Sequence, residues 1–198
     1  MNTSALTPPA REEIIAEVSA RMDSLADMVR AQHGCLFYAA FTALAIAKRG
    51  TRALLQAGSA SWLFKSPAKD DGVGPTHYSY VFEPGSMQTA LQLARGELPE
   101  IHCWAAIPET QEIIDPTTRH LPELLKLALP GEEWSAEAPA SYFWGPAASL
   151  PNGWHYGADA AAIAIAFRFL RSGRPEIFAE MQALGITPPL ARAERSAA

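Results

Sequence analysis

The chain carries only two cysteines, Cys35 and Cys103, in 198 residues. Two are too few for a disulfide framework, and their separation lacks the paired close spacing of a structural zinc site. That usage suits a reducing compartment, where a thiol persists as a thiol. Positive charge is also sparse. The net charge is -5 and the isoelectric point near 5.5, and no Lys/Arg cluster is interleaved with aromatics, which argues against nucleic acid as a partner. Long apolar runs are missing as well. The segment Cys35 to Ala47 falls well short of the roughly 20 residues that cross a bilayer, and the charged, amphipathic N-terminus has no signal-peptide pattern. The expectation is a cytoplasmic protein with no membrane partner. HExxH, CxxC, GxSxG, Walker and dinucleotide motifs are absent from the sequence, so no metal and no cofactor is expected, and serine-hydrolase, NTPase and Rossmann chemistry have no support.

What is present is enough apolar material for a core: 48% hydrophobic against 19% charged residues. This fits one domain over 1–198, with an N-terminal helix within 1–33, a core at 34–119 that carries the chemistry, and a helical and aromatic-loop region at 120–198. Ile14, Ile15, Val18, Met22, Leu25, Met28 and Val29 recur at helical intervals, predicting an amphipathic helix over Glu12 to Gln32 that His33 and Gly34 end. A second helix, apolar nearly all round and therefore buried, is expected from Cys35 to Gly50. Short segments rich in β-branched and aromatic residues follow at 52–58, 61–64, 77–82, 101–107 and 110–115, and read as strands. Residues 65–76 read as an exposed loop, and 83–99 as a short helix or an ordered insertion. The C-terminal third offers the apolar segment 121–129, an aromatic turn region at 141–156, and then expected helices at about 158–171 and 175–184. The fold class is α+β: a buried helix carrying the cysteine, packed on an antiparallel sheet, with C-terminal helices.

The candidate chemistry begins at Cys35. Directly after Gly34, at the expected start of the buried helix, its thiolate would feel the positive end of the helix dipole. A hairpin centred on Pro108 and Glu109 would place His102 opposite Asp115, near enough for a carboxylate to hold an imidazole N–H. Nucleophile, base and orienter are then Cys35, His102 and Asp115. Cys103 alternates with His102 along its strand and should be inert core, whereas Trp104 shares the His102 face and is a candidate cleft wall. Gln32 is a weak candidate for the oxyanion site, beside the Cys35 backbone N–H. His77 is an alternative base if the sheet order differs. His33 is a candidate to tune the thiol, and His120 and His155 carry no motif.

The order HGC at 33–35, HCW at 102–104 and DPT at 115–117 resembles the transglutaminase-like superfamily, over roughly Gln32 to Arg119. Papain-like peptidases and arylamine N-acetyltransferases share the same Cys, His, Asp or Asn logic. The resemblance implies a transglutaminase-like (papain-like) fold and a cysteine hydrolase or acyltransferase that attacks a peptide, amide or thioester bond through a Cys35 thioester, with a peptide, protein or small amide as substrate. A catalytically silent domain of the same fold, serving as a binding module, is the alternative.

Overall fold

A computed structural model describes residues 6–25, 27–65, 76–137 and 139–188, with backbone alone for 27–33. Six helices and six strands occur among them: α1 (Pro8–Asp23), α2 (Asp27–Lys48), β1 (Leu54–Leu63), β2 (His77–Tyr80), α3 (Met87–Ala94), β3 (His102–Ile107), β4 (Glu112–Asp115), α4 (Leu121–Ala128), β5 (Phe143–Pro146), β6 (His155–Ala158), α5 (Ala160–Gly173) and α6 (Pro175–Ala183). The sheet is antiparallel throughout, in the order β2-β1-β3-β4-β5, with β6 also paired to β1. The chain is therefore α+β, with helices on an antiparallel sheet.

The N-terminal helices differ from the expected boundaries. The first ends at Asp23, where the Ser24 hydroxyl bonds back to the Arg21 carbonyl. The second begins at Asp27 and runs unbroken past Gly34, so Cys35 lies in its body and not at its start. Periodicity missed the break because no Gly or Pro marks it, and Gly34 imitated a stop signal. Burial explains why α2 continues. Leu36 to Ile46 are all buried, as the apolar run requires, and this helix is the central strut against which α1 and β3 pack.

The expected strands at 52–58 and 61–64 are one strand, β1. Gly58 does not interrupt it. It lets β6 approach so closely that a Cβ there would stand 2.0 Å from the Gly157 carbonyl oxygen. The expected aromatic turn region contains β5 and β6, each only four residues long and broken by glycine, which hid the strand pattern. The expected 65–76 loop falls mostly outside the described residues.

The sheet separates two apolar layers. One holds α1, α2, α5 and α6 against Leu55, Ala57, Cys103 and Ala105. The other is aromatic and contains Trp62, Tyr78, Tyr80, Trp154 and Tyr156, with Leu121 from α4. His102 belongs to the aromatic side: its ring lies 4.9 Å from Trp62 edge to face and 6.2 Å from Trp104 in a stack. Among the described residues, no helix is long and apolar enough to cross a membrane.

Two glycine substitutions test this arrangement. Gly34→Ala should stabilise the protein by about 0.5–1 kcal/mol, because Ala is the better residue inside a helix and nothing lies within 4 Å of the added Cβ. A helix capped at Gly34 would instead lose stability on the same change. Gly58→Ala should destabilise by about 1–3 kcal/mol or more, since backbone must move to admit the methyl group. Denaturant midpoints measure both.

Candidate active site

The most constrained group is the Asp115 carboxylate, which has no exposed surface. It accepts the Thr117 N–H at 2.9 Å and the Thr117 hydroxyl at 2.6 Å on Oδ1, and meets His102 Nε2 and the Tyr156 hydroxyl, both at 2.8 Å, on Oδ2. Four donors fill the lone-pair sites of an ionised carboxylate. Burial alone would raise its pKa; the charge and hydrogen bond of His102, with the two bonds from Thr117, outweigh that and hold it below the usual range. Tyr156 is in turn fixed by the Trp62 indole N–H at 3.1 Å, and burial beside Asp115 keeps its phenol protonated.

The sequence reaches this pairing by a different register from the expected one. The loop spans Pro108 to Gln111, with Gln111 at φ 54, and pairs Ile107 with Glu112 and Ala105 with Ile114. Its centre is thus one residue further along than a Pro108–Glu109 turn would give. His102 and Asp115 are diagonal and not directly opposite, and the long imidazole spans the offset.

His102 is held at about 10. Burial by itself would lower it, but the Asp115 carboxylate raises it by charge and hydrogen bond, and the Cys35 sulfur adds to this. Its Nε2 faces Asp115, which leaves Nδ1 as the free nitrogen; that atom is buried and has no hydrogen-bond partner among the described residues. Cys35 lines the same cleft as His102, and no hydrogen bond joins its sulfur to Nδ1. Its thiol makes a long contact, 3.9 Å, with the Ile101 carbonyl oxygen, and its pKa is lowered well below the ordinary value. The neighbouring Cys103 is the largest influence; burial opposes it, and the charge of His102 reinforces it. The helix start invoked for this thiol is therefore not its source of acidity. Nor is the Cys35 N–H a free oxyanion donor, because an amide in a helix body is committed to the carbonyl four residues before it.

Cys35 and His102 open onto a cleft of about 600 Å³ bounded by Tyr38, Tyr80, Leu98, Thr117, His120 and Leu124, among others. That volume suits a small-molecule or peptide side-chain site. Trp104 is not a cleft wall: it is 3% exposed and stacks under the imidazole with Tyr156. The Gln32 and His33 side chains lie outside the described residues. His77 is exposed in β2. It pairs with Leu63 while His102 pairs with Gly58, so the two are about 16 Å apart along β1 at the usual strand rise, and it does not replace His102. Cys103 is buried, as expected, at 1% exposure. His120, without motif support in the sequence, lines the cleft. Tyr156 and Thr117 were missed as site residues: Tyr156 comes from an unexpected strand, and Thr117 was legible only as part of the DPT run. No family model, curated protein or solved structure matches the chain.

Two measurements test this site. Iodoacetamide should modify Cys35 readily at pH 6, where an ordinary thiol of pKa about 8.5 is almost wholly protonated, and His102→Ala should slow the reaction. Equal rates on folded protein would uncouple the pair. The raised His102 pKa also has a stability consequence. Its contribution should be complete below the unfolded value of about 6.5 and be lost as pH rises through about 10. Thermal midpoints of wild type should therefore fall over that window more steeply than those of His102→Ala.

Proposed function

We propose that the chain is a thiol-dependent acyl-transfer enzyme, a cysteine hydrolase or acyltransferase of transglutaminase-like or papain-like fold acting on a peptide, amide or thioester bond. The observation that carries this reading is the convergence, at one end of an open cleft, of an acidified cysteine, an imidazole with one free nitrogen and a buried, fully hydrogen-bonded carboxylate. A core cysteine needs none of this.

The thiolate of Cys35 attacks the acyl carbon, and the imidazolium of His102 gives its Nδ1 proton to the departing amine or thiol. A thioester on Cys35 remains. His102, now neutral, takes a proton from the incoming water or amine through the same nitrogen, and Asp115 holds the Nε2 proton throughout, fixing the tautomer. Tyr80 is the best-situated donor to the developing oxyanion. It lines the cleft with Cys35, its ring is 5.5 Å from that of His102, and its hydroxyl accepts from Tyr78, leaving its own proton to give. Burial, with the nearby sulfur charge, keeps that phenol protonated.

Turnover of peptide, glutaminyl and acyl-thioester panels by wild type and Cys35→Ala tests the proposal: activity should vanish in the variant. Asp115→Asn should lower kcat by on the order of 10⁴-fold, as loss of a tautomer-fixing carboxylate does. Tyr80→Phe should lower kcat by about 10²–10³-fold with Cys35 alkylation unchanged. A wild-type protein whose Cys35 reacts no faster than a free thiol, and which turns over none of the panel, would favour the silent binding domain.

A further inference from the structure

A guanidinium is tied to two side chains of the cleft wall. Beyond Asp115 the chain turns through a short 3-10 segment, Thr118–His120, which leaves Arg119 exposed and brings His120 to the cleft. Arg119 then reaches back to α2. Its Nη2 donates to the Tyr38 hydroxyl at 2.8 Å, its Nε donates to His120 Nε2 at 3.1 Å, and its Cζ lies 5.7 Å from the centre of the Tyr38 ring. Among the described residues no carboxylate pairs with it, and two of the five N–H groups of a guanidinium are engaged. A solvated surface arginine has no such fixed geometry.

We propose that Arg119, held by Tyr38 and His120, is a subsite for a carboxylate, and that the acyl compound taken by the cleft carries a free carboxylate close to its scissile bond. That the carboxylate enters as part of a substrate rests on the acyl-transfer reading; that it binds does not. The subsite adjoins the sulfur. Tyr38 follows Cys35 by three residues in α2, and residues three apart on a helix have Cβ atoms about 5–6 Å apart. Both line the cleft.

These side chains suit an anion and not a cation. The Tyr38 hydroxyl and His120 Nε2 both accept from Arg119, so each residue keeps a proton for a ligand: the phenol O–H and the Nδ1–H of a neutral imidazole. A proton on Nε2 would point at the guanidinium. Burial and the Arg119 charge accordingly hold the His120 pKa below its ordinary value, against the opposing pull of Glu123 and Asp115. The N–H groups that Arg119 has left are coplanar and match the two oxygens of a carboxylate. Glu100 also lines the cleft and repels an anion at its own position, which leaves the Arg119 side for one. Leu98, Leu121 and Leu124 make much of the remaining wall apolar, and about 600 Å³ suits an N-acyl amino acid or the end of a short peptide.

Iodoacetate and iodoacetamide test the subsite without any turnover, because they alkylate the same sulfur and differ by a carboxylate against a neutral amide. Rates at Cys35 are measured for both on the full chain, as wild type, Arg119→Gln and Tyr38→Phe, at about 0.15 M ionic strength, where the field of a distant exposed charge is screened. In wild type the iodoacetate rate should saturate with reagent concentration while the iodoacetamide rate stays linear. The ratio of the two rates cancels any change in thiol ionisation. It should fall by about 10–10²-fold in Arg119→Gln, the loss that goes with a hydrogen bond to a charged group. In Tyr38→Phe, which keeps the charge but releases the guanidinium, it should fall by less. Equal ratios in wild type and both variants, or a linear iodoacetate rate in wild type, overturn the proposal; the wild-type rates alone decide if neither variant folds. N-acyl amino acids and short peptides, each with its free carboxylate and as the amide, then separate the two readings. If the ratio falls as expected and none of them is turned over, the acyl-transfer reading fails and the subsite stands. Turnover of both forms at equal kcat/KM, with equal ratios, keeps acyl transfer and removes the subsite.

Discussion

A carboxylate with no exposed surface survives in a protein interior only if its charge is answered, and Asp115 is answered completely. Thr117 supplies two donors from two residues along the chain, Tyr156 supplies one from β6, and His102 supplies the last. The dependence also runs outward. His102 carries a proton at neutral pH because Asp115 does not, and the Cys35 sulfur is acidified in part because His102 is charged. Removing the negative charge would leave a buried imidazole that burial drives to its neutral form, and a sulfur with one fewer reason to ionise. The aromatic layer keeps water away from this relay: Trp62, Tyr80, Trp104 and Tyr156 all have ring centres within 6.2 Å of that of His102 or closer.

The residues of the candidate triad were legible in the sequence, and the way they meet was not. Cys35, His102 and Asp115 stood out because each is a rare residue type at the edge of an apolar or strand-like segment. Their contacts depend on quantities that local pattern does not carry. The break between α1 and α2 is made by an ordinary serine turn, so it left no Gly or Pro signature, whereas Gly34 carried a stop signature without being a stop. The β3–β4 register turned on Gln111 adopting a positive φ, which a non-glycine residue seldom announces. Tyr156 was invisible because β6 is four residues long, contains Gly157, and pairs only with a distant strand. The α+β class survived these errors because it rests on segment type and order and not on boundaries.

Placing Cys35 in the body of α2 changes the electrostatic account. At a helix start, free N–H groups would favour the thiolate and offer an oxyanion site together; inside the helix both are consumed by the backbone. The work passes to side chains. His102 and Cys103 acidify the sulfur, and Tyr80 is left as the donor that faces the cleft. Side chains are less rigid donors than a helix terminus, and the packing reflects that: the Tyr80 ring is bracketed by Trp62 at 6.0 Å, Tyr78 at 5.7 Å and His102 at 5.5 Å.

The two faces of β3 then acquire different duties at adjacent residues. His102 points into the aromatic layer and takes its charge state from Asp115, while Cys103 points into the helical layer and takes its protonation from Cys35. Cys35 sits where both influences reach one sulfur. Cys103 and the imidazolium both lower the pKa of that sulfur, which readies it for the proposed attack on an acyl carbon. Removing Cys103 would therefore weaken the nucleophile, which ties the buried cysteine to the resting acidity of the site.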